Sequence, residues 1–282
     1  WESVVNANTA LMQQQKKIVA LRSKEMFYNF EPYMNRTNGS PGWQWRFLVN
    51  AHHKGRVALG GNRIGKSEMG AFECCLAITG QHPFREYPES GIGWIVGLDN
   101  PMLRDVDRPM FEKFLPSRYK SKFHKQDNIW ECRGDGREWI IVFKSTEAGR
   151  LKFQGAKLAF AWIDEEPKNP EIFPEIETRL IDLRGPWWIT ATPLLGTAAL
   201  KALSEREDVY ATFAGMRDNP YLPLEEIENF AKQLSEDDRL VRVEGEYIVW
   251  GGKPVFNRRH LRALKARADE LALPETGVLV SC

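Results

Sequence analysis

The stretch ALGGNRIGKSEMG, residues 58–70, decides how the rest of the chain is read. Gly60, four residues, then Gly65, Lys66 and Ser67 fill every fixed position of the phosphate-loop pattern G-x-x-x-x-G-K-[ST]. Glycines let a backbone curl round a phosphate chain with its N–H groups turned inward, and the helix that follows offers its positive end. The ATP-contacting set is then Gly60, Gly61, Asn62, Arg63, Ile64, Gly65, Lys66 and Ser67. Lys66 is expected to reach the β and γ phosphates and Ser67 to ligate Mg²⁺. The plain alternative is a glycine-rich turn with a surface lysine. The flanks argue against it, because 57–59 fit a strand and 68–78 a helix.

A phosphate loop binds nucleotide; hydrolysis needs carboxylates as well. LAFAWIDEEP, residues 158–167, reads as a buried parallel strand that delivers Asp164, Glu165 and Glu166 at its carboxyl end. Ligands of open α/β sheets bind at that end. Asp164 is the candidate to hold Mg²⁺, and Glu165 to orient the attacking water as a catalytic residue with Lys66. Glu166 is expected to face solvent or a neighbouring subunit. Asp164 lies 98 residues after Lys66, a spacing that suits the NTPase class with an extra strand between the two motif strands and a catalytic glutamate. WWITATP, 187–193, reads as a strand ending at Thr190 and Thr192, whose hydroxyls would sense the γ-phosphate and couple its loss to movement.

Outward from these motifs, short strand candidates fall at 56–59, 93–97, 139–144, 158–164 and 187–191, with helical stretches between several of them. This is the pattern of an α/β fold: a P-loop NTPase of the ASCE/RecA-like type, a mostly parallel central sheet flanked by helices. Residues 9–29 read as a helix and 30–46 as a loop. From Arg217 the chain opens on Pro220 and Pro223 and becomes charged and helical, suggesting a small helical appendage. The expected domains are a helical and loop segment over 1–42, an ATPase core over 43–216, the appendage over 217–252 and a last segment over 253–282.

With 282 residues, 43% of them apolar, the chain can bury a sizeable core. No apolar run approaches the ~20 residues that cross a bilayer, and the N-terminus has no signal pattern, so neither a membrane nor a secreted role is expected. Trp1 in place of Met reads as a trimmed or processed start. Cys74, Cys75, Cys132 and Cys282 lack metal-ligand spacing and read as ordinary intracellular thiols. A net charge of +1 gives no global pull on nucleic acid, which leaves local patches. SRYKSKFHK, 117–125, readable as a solvated helix face or a contact for duplex phosphates, and NRRHLRALKAR, 257–267, readable as a linker helix between domains or such a contact, are the basic ones. Trp162, Trp187 and Trp188 are expected in the core.

GGNRIGKS, WIDEEP and ITATP, in this order and spacing, resemble the large subunit of the terminase, the motor that packages DNA in tailed bacteriophages. The resemblance runs from about Trp43 to about Gly252; NPYLP through GEYIVWGGKPVF resembles the family's lid and linker, which implies a small helical lid subdomain over 217–252 and a linker toward a second domain over 253–282. It implies ATP hydrolysis that drives double-stranded DNA into a procapsid, in the cytoplasm of an infected bacterium. It implies a ring of about five copies on a portal protein, and a small terminase subunit as partner. Arg63 within the loop is typical of the family and implies a catalytic positive group near the γ-phosphate. SPGWQWRFL, 40–48, resembles its adenine-recognition element, with Gln44 as the base contact. Relatives often carry an arginine before the second motif strand that acts on the neighbouring subunit; here the local sequence is GRLKFQGAK with Gln154 at that place, which leaves Arg150, Lys152 or Arg179 as the trans-acting residue. The family's nuclease domain has no acid cluster here to match it, so the chain is expected to be the ATPase part without the cutting activity. A RecA-like helicase, or an ATP-dependent switch without steady turnover, are the competing readings.

Overall fold

The computed structural model describes residues 23–36 and 39–248, with Lys16, Val19 and Ala20. Most of the expected helix over 9–29, the end of the expected lid and the basic stretch 257–267 lie outside the described residues. Within that stretch Lys16, Val19 and Ala20 are helical, and after a bend at 23–25 a separate helical turn spans Met26–Asn29.

Eight strands form one sheet: β1 (Gly55–Gly60), β2 (Ser90–Gly97), β3 (Lys120–His124), β4 (Ile129–Gly134), β5 (Arg137–Ser145), β6 (Phe160–Asp164), β7 (Trp187–Ala191) and β8 (Val209–Ala214). Their spatial order is β3-β4-β5-β2-β6-β7-β1-β8. Every pairing from β5 to β8 is parallel, and only the β3-β4-β5 margin is antiparallel. β7 stands between β1 and β6, so the WWITA strand is the one inserted between the strands that carry the two motifs.

The central strands β1, β6 and β7 are buried along their whole length, as expected of parallel strands covered on both faces. The period of two then sorts their side chains into two cores. Phe160, Trp162 and Trp188 point to one face with Met69, Phe72 and Cys75, while Ala161, Ile163, Trp187 and Ile189 point to the other. The first face is covered by α1 (Trp43–Val49), α2 (Lys66–Thr79) and α3 (Arg108–Phe114). The second is covered by α4 (Ile172–Arg179), through Ile172, Phe173 and Ile176, and by α5 (Ala198–Ser204), through Leu200 and Leu203. Beyond β8 follow α6 (Leu224–Lys232) and α7 (Glu236–Arg242), whose Ile227, Ala231, Leu240 and Val241 are buried.

Gly70 lets α2 lie directly on the sheet. A Cβ at this position would come within 2.3 Å of the Trp162 indole, and the Gly70 carbonyl accepts from Trp188 Nε1 at 3.3 Å. Gly to Ala inside a helix ordinarily gains about 1 kcal/mol. Here the methyl has no room, and overpacking costs roughly 1–3 kcal/mol. Gly70→Ala is therefore expected to lower the denaturant midpoint despite its better helix propensity; a raised midpoint would contradict this packing.

Three sequence expectations differ from the fold. Trp43 to Arg46, assigned to a loop, belong to α1, because Trp43 and Phe47 bury one turn apart. SRYKSKFHK is no helix face: it is a 3₁₀ turn at Ser117–Tyr119 followed by the edge strand β3, whose exposed lysines suit an edge that must not pair. Strands β3, β4 and β8 are absent from the sequence reading, the first two because their alternating polar residues carry little apolar signal.

Candidate active site

β1 ends at Gly60 and the chain turns through residues 61–65 into α2. Gly60 has no room for a side chain: a Cβ would meet Ile64 Cδ1 at 2.4 Å and the Ala214 carbonyl at 2.5 Å. Gly65 sits in the left-handed region at φ 79°, where a Cβ is strained. The carbonyls of the turn are held from outside. Tyr33 Oη and Trp43 Nε1 donate to the Ile64 carbonyl, each at 3.1 Å. Asn219 Nδ2 donates to that of Arg63 at 2.8 Å. Lys66 Nζ donates to Gly61 at 2.7 Å and Gly60 at 3.2 Å. Burial lowers the pKa of Lys66, and Glu165 and Asp164 partly offset this.

The carboxylates meet the loop as the sequence expected. Ser67 Oγ donates to Asp164 Oδ2 at 2.7 Å, and Thr190 Oγ1 donates to Oδ1 at 2.6 Å. Thr190 in turn accepts from Trp162 Nε1 at 2.7 Å, which fixes its hydroxyl toward Asp164. Glu165 adopts φ 67°, rare for a residue with a Cβ. Its N–H donates to the Thr190 carbonyl and its Oε2 accepts from Thr192 N, both at 2.8 Å. Burial and the Asp164 charge push the Glu165 carboxyl up to about 7. Thr190 and Thr192, expected to sense the γ-phosphate, thus hold the two carboxylates, and Thr192 Oγ1 also donates to Asn62 Oδ1 at 3.3 Å.

Glu166 corrects the sequence reading. It is buried rather than facing solvent: Oε1 accepts from Thr197 N at 2.8 Å and Oγ1 at 2.6 Å, and Oε2 from Gly196 N at 3.0 Å. It secures the turn that starts α5, where N–H groups are unpaired and favour a negative charge. Gln44, expected to contact a base, is engaged elsewhere. It is buried, with Oε1 accepting from Tyr33 N at 3.3 Å and Nε2 donating to the Gly65 carbonyl at 3.2 Å, and it does not line the cavity.

That cavity, about 700 Å³, opens over the loop. Asn62, Arg63, Lys66, Ser67, Glu165 and Thr192 form its polar floor. Val106 and Met110 on one side, Leu222 and Phe230 on the other, form apolar walls. Sequence reading missed these four, since they sit in ordinary amphipathic patterns and only the fold brings them over the loop. Arg150, Lys152 and Arg179 do not line it. Arg150 pairs with Glu175 at 2.8 Å, in a turn that packs against α4, the helix that ends at Arg179.

A glycine turn between a central parallel strand and a helix, a serine bonded to the acid of a second strand, and one strand between them define a P-loop NTPase domain. A family model described as "Terminase large subunit, T4likevirus-type, N-terminal" matches residues 57–262. The chain belongs to that family. It is 26% identical over 221 residues to the terminase large subunit of Salmonella phage P22, a match covering 62% of this chain and 41% of that protein, so the chain spans less than half its relative's length. Among solved structures it resembles the large terminase of a thermophilic bacteriophage (TM-score 0.62, 16% identity, 77% of this chain and 57% of that one). It also resembles an ATPase-domain mutant from the large terminase of Thermus phage P74-26 (0.60, 15%, 79% and 96%). A further structure of the former protein is a complex with ADP (0.59, 18%, 73% and 53%). At these identities the structural likeness concerns the fold. Among the described residues no helix is long and apolar enough to cross a membrane.

Proposed function

We propose that this chain is the motor domain of a terminase large subunit, which hydrolyses ATP to drive double-stranded viral DNA into a procapsid. The observation that carries the reading is the junction of loop and acids: Ser67 bonded to Asp164, with Lys66 and Glu165 on the floor of one cavity. Lys66 exchanges its two loop carbonyls for the β and γ phosphates, and Arg63 adds positive charge near the γ-phosphate. The Ser67 hydroxyl and Asp164 carboxylate are hard oxygen donors already in contact, a set that fits Mg²⁺. Bound there, the ion would offset phosphate charge as the terminal bond breaks. Glu165, with Oε2 held by Thr192, has its second oxygen left to orient a water and take its proton. Thr190 and Thr192 relay the state of the site to the inserted strand.

The helices after Arg217 act as a lid over the core of 43–216, the lid being 217–252 and the linker 253–282. Two contacts support this: Asn219 bonds the Arg63 carbonyl, and Asn62 N donates to the Arg242 carbonyl at 2.7 Å. The walls of Leu222 and Phe230 would close on the base. A ring of about five copies on a portal, with the small terminase subunit, completes the motor, and Arg150, Lys152 or Arg179 reaches the neighbouring site. The setting is the cytoplasm of the infected bacterium.

The test is fluorescent-ADP binding and steady-state ATP turnover with double-stranded DNA, single-stranded DNA or RNA added. Lys66→Ala removes a charged donor worth roughly 1.5–3 kcal/mol and should weaken nucleotide affinity about ten- to a hundredfold. Unchanged affinity refutes the nucleotide reading. Strong stimulation of turnover by single strands or RNA refutes the packaging motor in favour of a helicase.

A further inference from the structure

The segment after β2 carries an acid that neither motif announces. Asp107 closes a π-helical turn, Leu103–Asp107, in which Arg108 N–H reaches back to the Leu103 carbonyl. Pro109 follows and has no N–H to continue an ordinary ladder, a common cause of such turns, and π turns recur at functional sites. The extra residue swings Asp107 inward until it is fully buried. Neither of its carboxylate oxygens meets a donor among the described residues. What faces it is the end of β6, where Val96 pairs with Ile163 one residue before Gly97 and Asp164; burial and the charges of Asp164, Glu165 and Asp99 all oppose ionisation of Asp107. Gly97 makes the space: a Cβ there would lie 2.3 Å from Asp107 Oδ2.

The other buried acids among the described residues are satisfied, Glu73 by Arg56, Glu166 by N–H groups and Asp164 by the hydroxyls of Ser67 and Thr190. A buried carboxylate is ordinarily paired or bound to a cation, and one left without a donor calls for a physical reason. Two neighbouring acids, one of them bonded to Ser67, find that reason in a divalent cation, whose charge and water shell both would share.

We propose that Asp107 is a second acidic positioning residue of the nucleotide's cation site, acting with Asp164 and Ser67 from a π-helical turn outside both motifs. The inference rests on the ATPase reading above. It is tested by electron paramagnetic resonance of Mn²⁺ titrated into the 282-residue chain with ADP present. Alongside it run ADP binding in EDTA and thermal melting. Asp107→Asn should weaken Mn²⁺ uptake tenfold or more, with metal-free ADP affinity unchanged and the melting midpoint not lowered. Asp107→Ser, smaller and neutral, serves if the amide prevents folding. Mn²⁺ affinity within twofold of the parent in a folded variant overturns the inference and leaves Asp107 a structural acid, with the ATPase reading intact. A parent protein that takes up no Mn²⁺ with ADP overturns both.

Discussion

Glu165→Gln is expected to reduce ATP turnover by about two to four orders of magnitude, the range for losing a positioned general base, while nucleotide still binds. The amide is the same size and retains an oxygen for the Thr192 N–H that now bonds Oε2 at 2.8 Å. The unusual φ of 67° belongs to the backbone and survives the change. What disappears is the ability to accept a proton. Because burial and Asp164 oppose the negative charge at this position, its removal should leave ADP affinity equal or slightly higher. Glu166→Gln is the matched control: the adjacent acid secures the start of α5 with both oxygens accepting, so its variant, with an NH2 facing one of those donors, should lose about 1–3 kcal/mol of stability and keep its turnover. Single-turnover assays beside ADP binding separate the cases. Turnover in Glu165→Gln within a few-fold of the parent would remove Glu165 from the chemistry.

Glu73→Gln is expected to destabilise the domain by about 3–5 kcal/mol, the cost of stripping one partner from a buried ion pair. Arg56 on β1 and Glu73 on α2 are both fully buried, joined by two bonds of 2.6 and 2.8 Å. Arg56 also donates to the Phe47 carbonyl of α1 at 2.9 Å, and His82 Nε2 lies 3.2 Å from Glu73. The cluster ties together the strand and helix that hold the phosphate loop and the helix that backs it. Burial alone would raise the Glu73 carboxyl; Arg56, aided by His82, outweighs it and holds it at about 2. Its folded pKa is depressed, so the stabilisation is complete above the unfolded value of 4.5 and is lost as pH falls toward 2. The span corresponds to about 3 kcal/mol. Denaturant unfolding at about pH 7, 4 and 3 should show this loss in the parent and its absence in Glu73→Gln. A parent and variant with parallel acid profiles would dissociate Glu73 from acid sensitivity.

The sequence by itself determined which candidate residues depend on local pattern. Loop, acids and threonines lie within short runs whose residue types are dictated by the turn or strand end they occupy, so GGNRIGKS, WIDEEP and ITATP already point to Lys66, Ser67, Asp164, Glu165, Thr190 and Thr192. WWITA was legible as a strand too, because a buried parallel strand is a largely apolar run, and the spacing of the two motifs suggested an extra strand between theirs. What only the tertiary structure decided depends on contacts between distant segments. Glu166 shares its neighbours' sequence pattern, yet the α5 start beneath it takes its charge. Gln44 turns to the loop because Tyr33 and Gly65 reach it first. Asp107 carries no motif signal at all; the π turn of Leu103–Asp107 buries it, and the bare backbone of Gly97 makes room for its carboxyl. The physical reason is common to all three: a local sequence sets which way a backbone turns, but burial and partner are properties of the space that other parts of the chain enclose.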